Sequence, residues 1–248
     1  MEDTTRRVIL KLSGEALAGS EGRGVSSSIL ESIATQVALA FKEGIKIGIV
    51  VGGGNFWRGA SAYKDLPIER ITADQIGMLA TVMNGLVLRD AIENAGIPAR
   101  VFSPFSVGEM LETYNIKKVR MAMNSSVVVL SGGIGSPYFT TDTTAALRAV
   151  ELGAREILKA TKVDGIYDKD PAIYSDAVLF KKISYMDVLA KKIKVMDSTA
   201  VALCMENGIT IRVFNMFSDN SVYEALIGND VGSVVVPDGL SVKNASPT

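Results

Sequence analysis

The sequence predicts an α/β fold, a three-layer αβα sandwich around a mostly parallel sheet of about eight strands. Three observations predict it. Short β-branched runs alternate with helical segments of about 10–20 residues, as in strand–helix–strand crossovers. Three of the four helical segments carry both start and stop signals, opening on Ser, Thr or Asp and closing on Gly. The chain is also large enough to cover a sheet on both faces, with 248 residues of which 48% are apolar.

In chain order, strands are expected over residues 8–12, 46–51, 99–102, 126–130, 156–159, 178–181, 210–214 and 232–236. The first helix, "SSSILESIATQVALAFKEG", has apolar residues Ile29, Ile33, Val37 and Phe41 every fourth position. Ser28 with Glu31 reads as its capping box, and Gly44 stops it. "ADQIGMLATVMNGLVLRDAIENAG" is a longer helix, apolar on most faces and so expected to be buried on two sides. "TTDTTAALRAVELG" and "DSTAVALCMENG" supply two more. The final "PDGLSVKNASPT" is polar and reads as a loose tail.

Composition excludes several chemistries. The chain has no histidine, which removes Ser-His, Cys-His and His-metal sites. Its single cysteine, Cys204, cannot form an internal disulfide and reads first as a buried structural thiol. The formal net charge of −1 gives no bulk attraction for nucleic acid. No apolar run approaches the ~20 residues of a membrane span, and the amino terminus shows no signal-peptide pattern. No nucleic-acid or membrane partner and a cytoplasmic location are the expectations.

In open α/β sheets, ligands collect beyond the carboxyl ends of strands. "VILKLSG" puts Lys11 at such an end, followed by Ser13 and Gly14. "IVVGGGNFWRG" offers Gly52, Gly53, Gly54 and Arg58, and "VVVLSGGIGSPYFTTD" offers Gly132, Gly133 and Gly135, then Thr140, Thr141 and Asp142 at a helix start. Glycine lets backbone N–H groups approach phosphate oxygens closely, and a helix amino terminus adds unpaired donors. Each cluster alone is equally a plain tight turn; it is their recurrence beside a lysine and an arginine that points to phosphate. Neither the Walker A pattern nor G-x-G-x-x-G occurs, so the expected phosphate site belongs to neither a P-loop nor a Rossmann fold. "KATKVDGIYDKDPAIY" carries turn signals at Asp164-Gly165 and Asp170-Pro171. It reads equally as a solvated loop or as a holder of a nucleotide base or ribose. Asp197 in "KVMDST" reads as the N-cap of its helix, a role compatible with a ligand contact.

These stretches resemble the amino-acid-kinase superfamily and, within it, the bacterial type of uridylate (UMP) kinase. The superfamily likeness lies in "KLSG", "GGGN" and "TKVDGIYDKDP"; the closer one lies in "VVGGGNFWRGA", "GMLATVMNGLVLRDA", "GGIGSPYFTTDTTAALRA", "KVMD" and "RVFNM". It runs in order from about Arg6 to Val236. The resemblance implies one amino-acid-kinase-like domain over 1–248, with residues 6–150 as the acceptor-binding half, 151–236 as the ATP-binding half and 237–248 as the tail. It implies transfer of the ATP γ-phosphoryl group to UMP, giving UDP and ADP, with Mg²⁺ entering with ATP and no metal ligand of the chain's own. A homohexamer, a place in pyrimidine biosynthesis, activation by GTP and inhibition by UTP are implied as well.

Carried over position by position, Lys11, Arg58, Asp142 and Asp197 would be catalytic. UMP would meet Gly53, Asp74, Ile134, Gly135, Ser136, Pro137, Tyr138, Phe139, Thr140 and Thr141. ATP would meet Lys11, Leu12, Ser13, Gly14, Gly54, Arg58, Thr161, Tyr167 and Asp170. Gly19, Ser20, Glu21, Gly22, Arg23 and Gly24 match the loop tied to GTP. The family pattern has phenylalanine more often at the place of Tyr138, and a shorter tail. Other kinases of the superfamily, acting on a carboxylate or carbamate, share the outer frame. A non-enzymatic nucleotide- or oxyanion-binding member of the same fold is a further alternative.

Overall fold

The computed structural model describes residues 5–58 and 66–237; the expected tail beyond 237 lies outside them. The strands are β1 (Arg7–Leu12), β2 (Lys46–Val51), β3 (Ala99–Ser103), β4 (Glu112–Thr113), β5 (Val127–Leu130), β6 (Glu156–Thr161), β7 (Ile166–Tyr167), β8 (Leu179–Phe180), β9 (Lys182–Ser184), β10 (Thr210–Asn215) and β11 (Ser233–Val236). The helices are α1 (Gly14–Leu17), α2 (Ser27–Lys42), α3 (Arg70–Asn94), α4 (Ile116–Ala122), α5 (Thr141–Leu152), α6 (Tyr185–Ala190), α7 (Ser198–Glu206) and α8 (Ser221–Ile227). A nine-stranded sheet runs in the order β4-β3-β5-β2-β1-β6-β10-β11-β9. Its pairings are parallel except β10 with β11.

Period-two alternation along β1 sorts its side chains between two cores. Val8, Leu10 and Leu12 enter one core with Ile33 and Val37 of α2, Leu88 and Ile92 of α3, and Leu226 of α8. Ile9 enters the other with Ala145, Ala146 and Ala149 of α5, Val188 of α6, and Val201 and Cys204 of α7. The three layers are thus the two helix sets and the sheet between them, as expected. Sequence-adjacent strands flank β1 only on one side: β2 lies on one edge and β6 on the other. Such a reversal of strand order opens a crevice at the carboxyl ends.

Four expectations need correction. The run 178–181 does not join the main sheet; Leu179–Phe180 pairs antiparallel with Ile166–Tyr167 in a separate two-stranded ribbon. The two-residue β4 and three-residue β9 close the main sheet's edges instead, too short to show a period. Helix α2 starts at Ser27 after N-cap Ser26, so Ser28 sits inside the first turn; it is Ser27 Oγ that reaches Glu31, at 2.7 Å. Helix α3 is long and apolar enough, by length and composition alone, to cross a membrane, which the run-length reading overlooked. It packs on β3 and α2, but its outer face is open: Leu79 and Met83, four residues apart, are about half exposed. The helix is therefore buried on one side only.

Candidate active site

Lys11, next to last in β1, faces the same side of the sheet as Ile9 and is nine-tenths buried. Parallel pairing sets Lys159 of β6 directly beside it, so two ammonium groups share one face of the sheet. Asp142, in the first turn of α5, lies between them. Its Oδ1 is 2.8 Å from Lys11 Nζ and its Oδ2 accepts a 2.8 Å hydrogen bond from Lys159 Nζ. The α5 amino terminus adds favourable dipole potential for that carboxylate. Burial pushes the Asp142 carboxyl up, but Lys11 and Lys159 outweigh it and hold the group below its ordinary range. Burial lowers the Lys159 ammonium, the Asp142 carboxylate opposes this, and the nearby Lys11 adds to the lowering; the net shift is downward. Lys159 also donates to the Val195 carbonyl at 2.6 Å.

The glycine loop after β2 is folded against the end of β1. Gly52 N donates to Leu12 O at 2.9 Å, while the Leu12 side chain is in the core, so Leu12 can serve a ligand only through its backbone. Gly14 must be glycine: a Cβ there would lie 2.5 Å from Asn55 Oδ1 and 2.6 Å from Gly54 N. Ser13 accepts from Ala16 N and so caps α1. Arg58, at the loop's far side, pairs with Glu15 at 2.9 Å. The segment around Gly19–Glu21 is a single 3-10 turn, and Gly22 and Gly24 both take left-handed backbone.

A cavity of about 200 Å³ opens beyond this loop, lined by Gly53, Trp57, Asp74, Thr81 and the run after β5. From that run Ser136, Tyr138, Phe139, Thr140 and Thr141 line it, whereas Ile134, Gly135 and Pro137 do not. Asp74 accepts from Arg70 Nε with both oxygens, at 2.9 and 2.8 Å, and from Tyr138 N at 2.9 Å, so it pins the run to α3. Tyr138 itself takes left-handed backbone, φ 72°.

A second cavity, about 500 Å³, is bordered by Lys159. Thr161, Tyr167 and Asp170, the three residues expected to meet ATP there, all line it. So do Lys191, Lys192 and Lys194, which sequence reading missed. Asp170 Oδ1 accepts from Ala172 N, so the turn signal was also correct. Lys159 and Val195 further border a third space that reaches Asp142 and Asp197. Asp197 caps α7 through Ala200 N at 2.9 Å, as expected, and receives hydroxyl hydrogen bonds from Thr140 and Thr143 of the α5 start. Among the described residues no group of three or more acidic, Cys or His side chains forms a metal cage. Lys159 was missed because its significance is its register with Lys11; a lone lysine in the apolar run "EILKAT" was the available signal.

The amino acid kinase family model matches residues 6–215. The chain is 46% identical over 230 residues to the uridylate kinases of Psychrobacter cryohalolentis and Psychrobacter arcticus, covering 92% of this chain and 95% of each of those proteins. Among solved structures, the UMP kinase of Bacillus anthracis superposes with a TM-score of 0.88 at 34% identity, covering 94% of this chain and 96% of that one. That of Ureaplasma parvum gives 0.87 at 34% identity, over 94% and 99%. With two lysines bridged by one carboxylate near the strand ends, and with these likenesses over nearly its full length, the chain belongs to the amino acid kinase family.

Proposed function

We propose that the chain transfers the γ-phosphoryl group of ATP to UMP, giving UDP and ADP, as a step of pyrimidine nucleotide biosynthesis. The observation that carries this reading is the Lys11–Asp142–Lys159 bridge, whose Lys159 borders the larger cavity and whose Asp142 directly follows Thr140 and Thr141 of the smaller one. The smaller, with Asp74 and the 136–141 run, suits a pyrimidine nucleoside monophosphate. The larger, with Tyr167 and its lysines, suits ATP, which brings Mg²⁺ as part of the substrate. The relatives' names favour UMP as acceptor.

No histidine is required. A phosphate monoester has a second pKa of about 6, so the acceptor is mostly dianionic at pH 7 and needs no general base. It needs to be brought in line with the γ-phosphorus against charge repulsion, and the equatorial oxygens need cations and N–H donors. Lys11 bridges donor and acceptor phosphates, Asp142 fixes Lys11, and the glycine-loop N–H groups meet the transferring phosphates. Arg58 exchanges its contact with Glu15 for phosphate on the acceptor side.

Regulation and assembly form part of the same proposal: activation by GTP through the 19–24 loop, inhibition by UTP, a homohexamer and a cytoplasmic place. The open apolar pair Leu79 and Met83 on α3 supports a subunit contact. The deciding experiment measures ADP release from ATP–Mg²⁺ with UMP, CMP or acetylglutamate as acceptor, each with and without GTP. Turnover with UMP and little with CMP, raised by GTP, is expected. Turnover with acetylglutamate instead would place the chain among the carboxylate kinases. ATP binding without turnover on any acceptor would make it a sensor or storage protein.

A further inference from the structure

Helix α3 is apolar along most of its length, yet it buries one amide completely. Asn84 has no exposed surface, and its partner Asn55, just after the glycine loop, is nearly as buried. The two amides are reciprocal: Asn55 Nδ2 donates to Asn84 Oδ1 at 2.9 Å, and Asn84 Nδ2 donates to Asn55 Oδ1 at 2.7 Å. Each spends its second N–H on a backbone carbonyl, Asn55 on Gly24 O and Asn84 on Gly52 O, both at 2.7 Å. Gly24 N returns a bond to Asn55 O at 3.3 Å. Asn55 Oδ1 also fills the space that any side chain at position 14 would need. Four segments therefore meet at one pair of side chains, with every polar atom satisfied. A fully satisfied buried network specifies one geometry, and a half-satisfied one is costly.

We infer that Asn55 and Asn84 are positioning residues for phosphoryl transfer. Their clasp holds Gly52, Gly53, Gly54 and Arg58 in register with Lys11, and ties the segment ending at Gly24 to the same loop. They touch no substrate cavity; they act through the loop that does. The inference rests on the phosphoryl-transfer reading above. A displacement of about 1 Å at such a loop can cost on the order of a hundredfold in rate.

The test uses the full chain, wild type first, with ATP–Mg²⁺ and UMP. Asn55→Ala and Asn84→Ala should each lower kcat at least about tenfold while KM for either nucleotide moves less than about threefold. The double variant should fall little further than the worse single, because the pair acts as a unit. Folded single variants with near-normal kcat, or a double loss equal to the product of the singles, would overturn the inference.

Asn84→Asp covers the case in which the alanine variants do not fold. Its carboxyl is nearly isosteric, donates one hydrogen bond when protonated and none when ionised. Its kcat should lie at least about tenfold below wild type at pH 8, where the ionised carboxylate donates nothing, and a ratio of one there counts against the clasp. Trp57, the only tryptophan, sits on the clasped loop. Its emission should shift in every folded variant, and an unchanged spectrum also overturns the inference. Wild type without UMP turnover would sink the functional reading alone, leaving that emission to judge the clasp.

Discussion

At the level of single residues, the site is an exercise in sharing one carboxylate between two cations. Lys11 and Lys159 are register partners, so without Asp142 their repulsion would go unanswered in a buried place. Lys11→Ala should leave a folded chain with ADP release from UMP and ATP reduced roughly 10²–10³-fold, the usual cost of one donor to a developing oxyanion; near-normal turnover would remove Lys11 from the mechanism. Asp142→Asn should cost about 3 kcal/mol of stability at pH 7, because it leaves the buried Lys11 and the partly buried Lys159 without their shared carboxylate. The pH dependence has a definite sign. Asp142 is held below its ordinary value of 3.8, so its contribution is fully present above that value and is lost as pH falls through the lower folded pKa. Denaturant titrations of wild type and Asp142→Asn should differ by a constant above about pH 5 and converge below pH 4; a gap that widens in acid would mean that other groups carry it. Lys11 and Asp142 were legible in the sequence because each is a charge at the end of an apolar run or the start of a helix. Lys159 and the Asn55–Asn84 pair were not, since each gains its role only from a neighbour that folding supplies.

At the level of elements, caps place the chemistry. Thr140 caps α5 and Asp197 caps α7, and the two caps are hydrogen-bonded to each other. Helices with contiguous caps arrive at the cleft as one unit, which orients Asp142 toward Lys11. Capping and cross-linking can be separated by mutation. Asp197→Ser keeps a cap acceptor and should hold the melting temperature within a few degrees, while Asp197→Ala should lose a further ~1 kcal/mol. Both lose the carboxylate that receives Thr140 and Thr143, so both should lose activity to a similar extent. Activity that follows the melting temperature, high in the serine variant and low in the alanine, would mean that Asp197 serves only as a cap. The Asp197 cap was readable because Asp followed by a helical run is a local signal. The α2 start was misplaced by two residues because three consecutive serines offer three equivalent caps. The β8 segment misled for a different reason: a short apolar run does not announce which sheet it will join.

At the level of the whole molecule, the fold was legible because alternation of strand and helix is a local pattern, and the parallel sheet is its consequence. The edge strands β4 and β9 were not, having too few residues for a period. The proposed halves, 6–150 and 151–236, meet along the β1–β6 pairing, and each core draws side chains from both: one joins Leu10 to Leu158 and Phe214, the other Ile9 to Ile157 and Cys204. Shared cores of this kind should unfold together even though the chain exceeds the size at which two-state behaviour is routine. The sequence supplies one natural probe in each half, its single tryptophan, Trp57, and its single cysteine, Cys204. Cys204 is fully buried, and burial pushes its thiol up to about 12, so it should be inert to a thiol reagent in the native state. When opening and reclosing are fast relative to labelling, its reaction tracks the population of the open form. Across a denaturant series, the opening free energy taken from Cys204 labelling rates should therefore equal the unfolding free energy taken from Trp57 emission and from far-UV circular dichroism. An opening free energy from labelling smaller than the one from Trp57 would show the carboxyl half opening alone, and the two halves would then be separate folding units in spite of their common sheet.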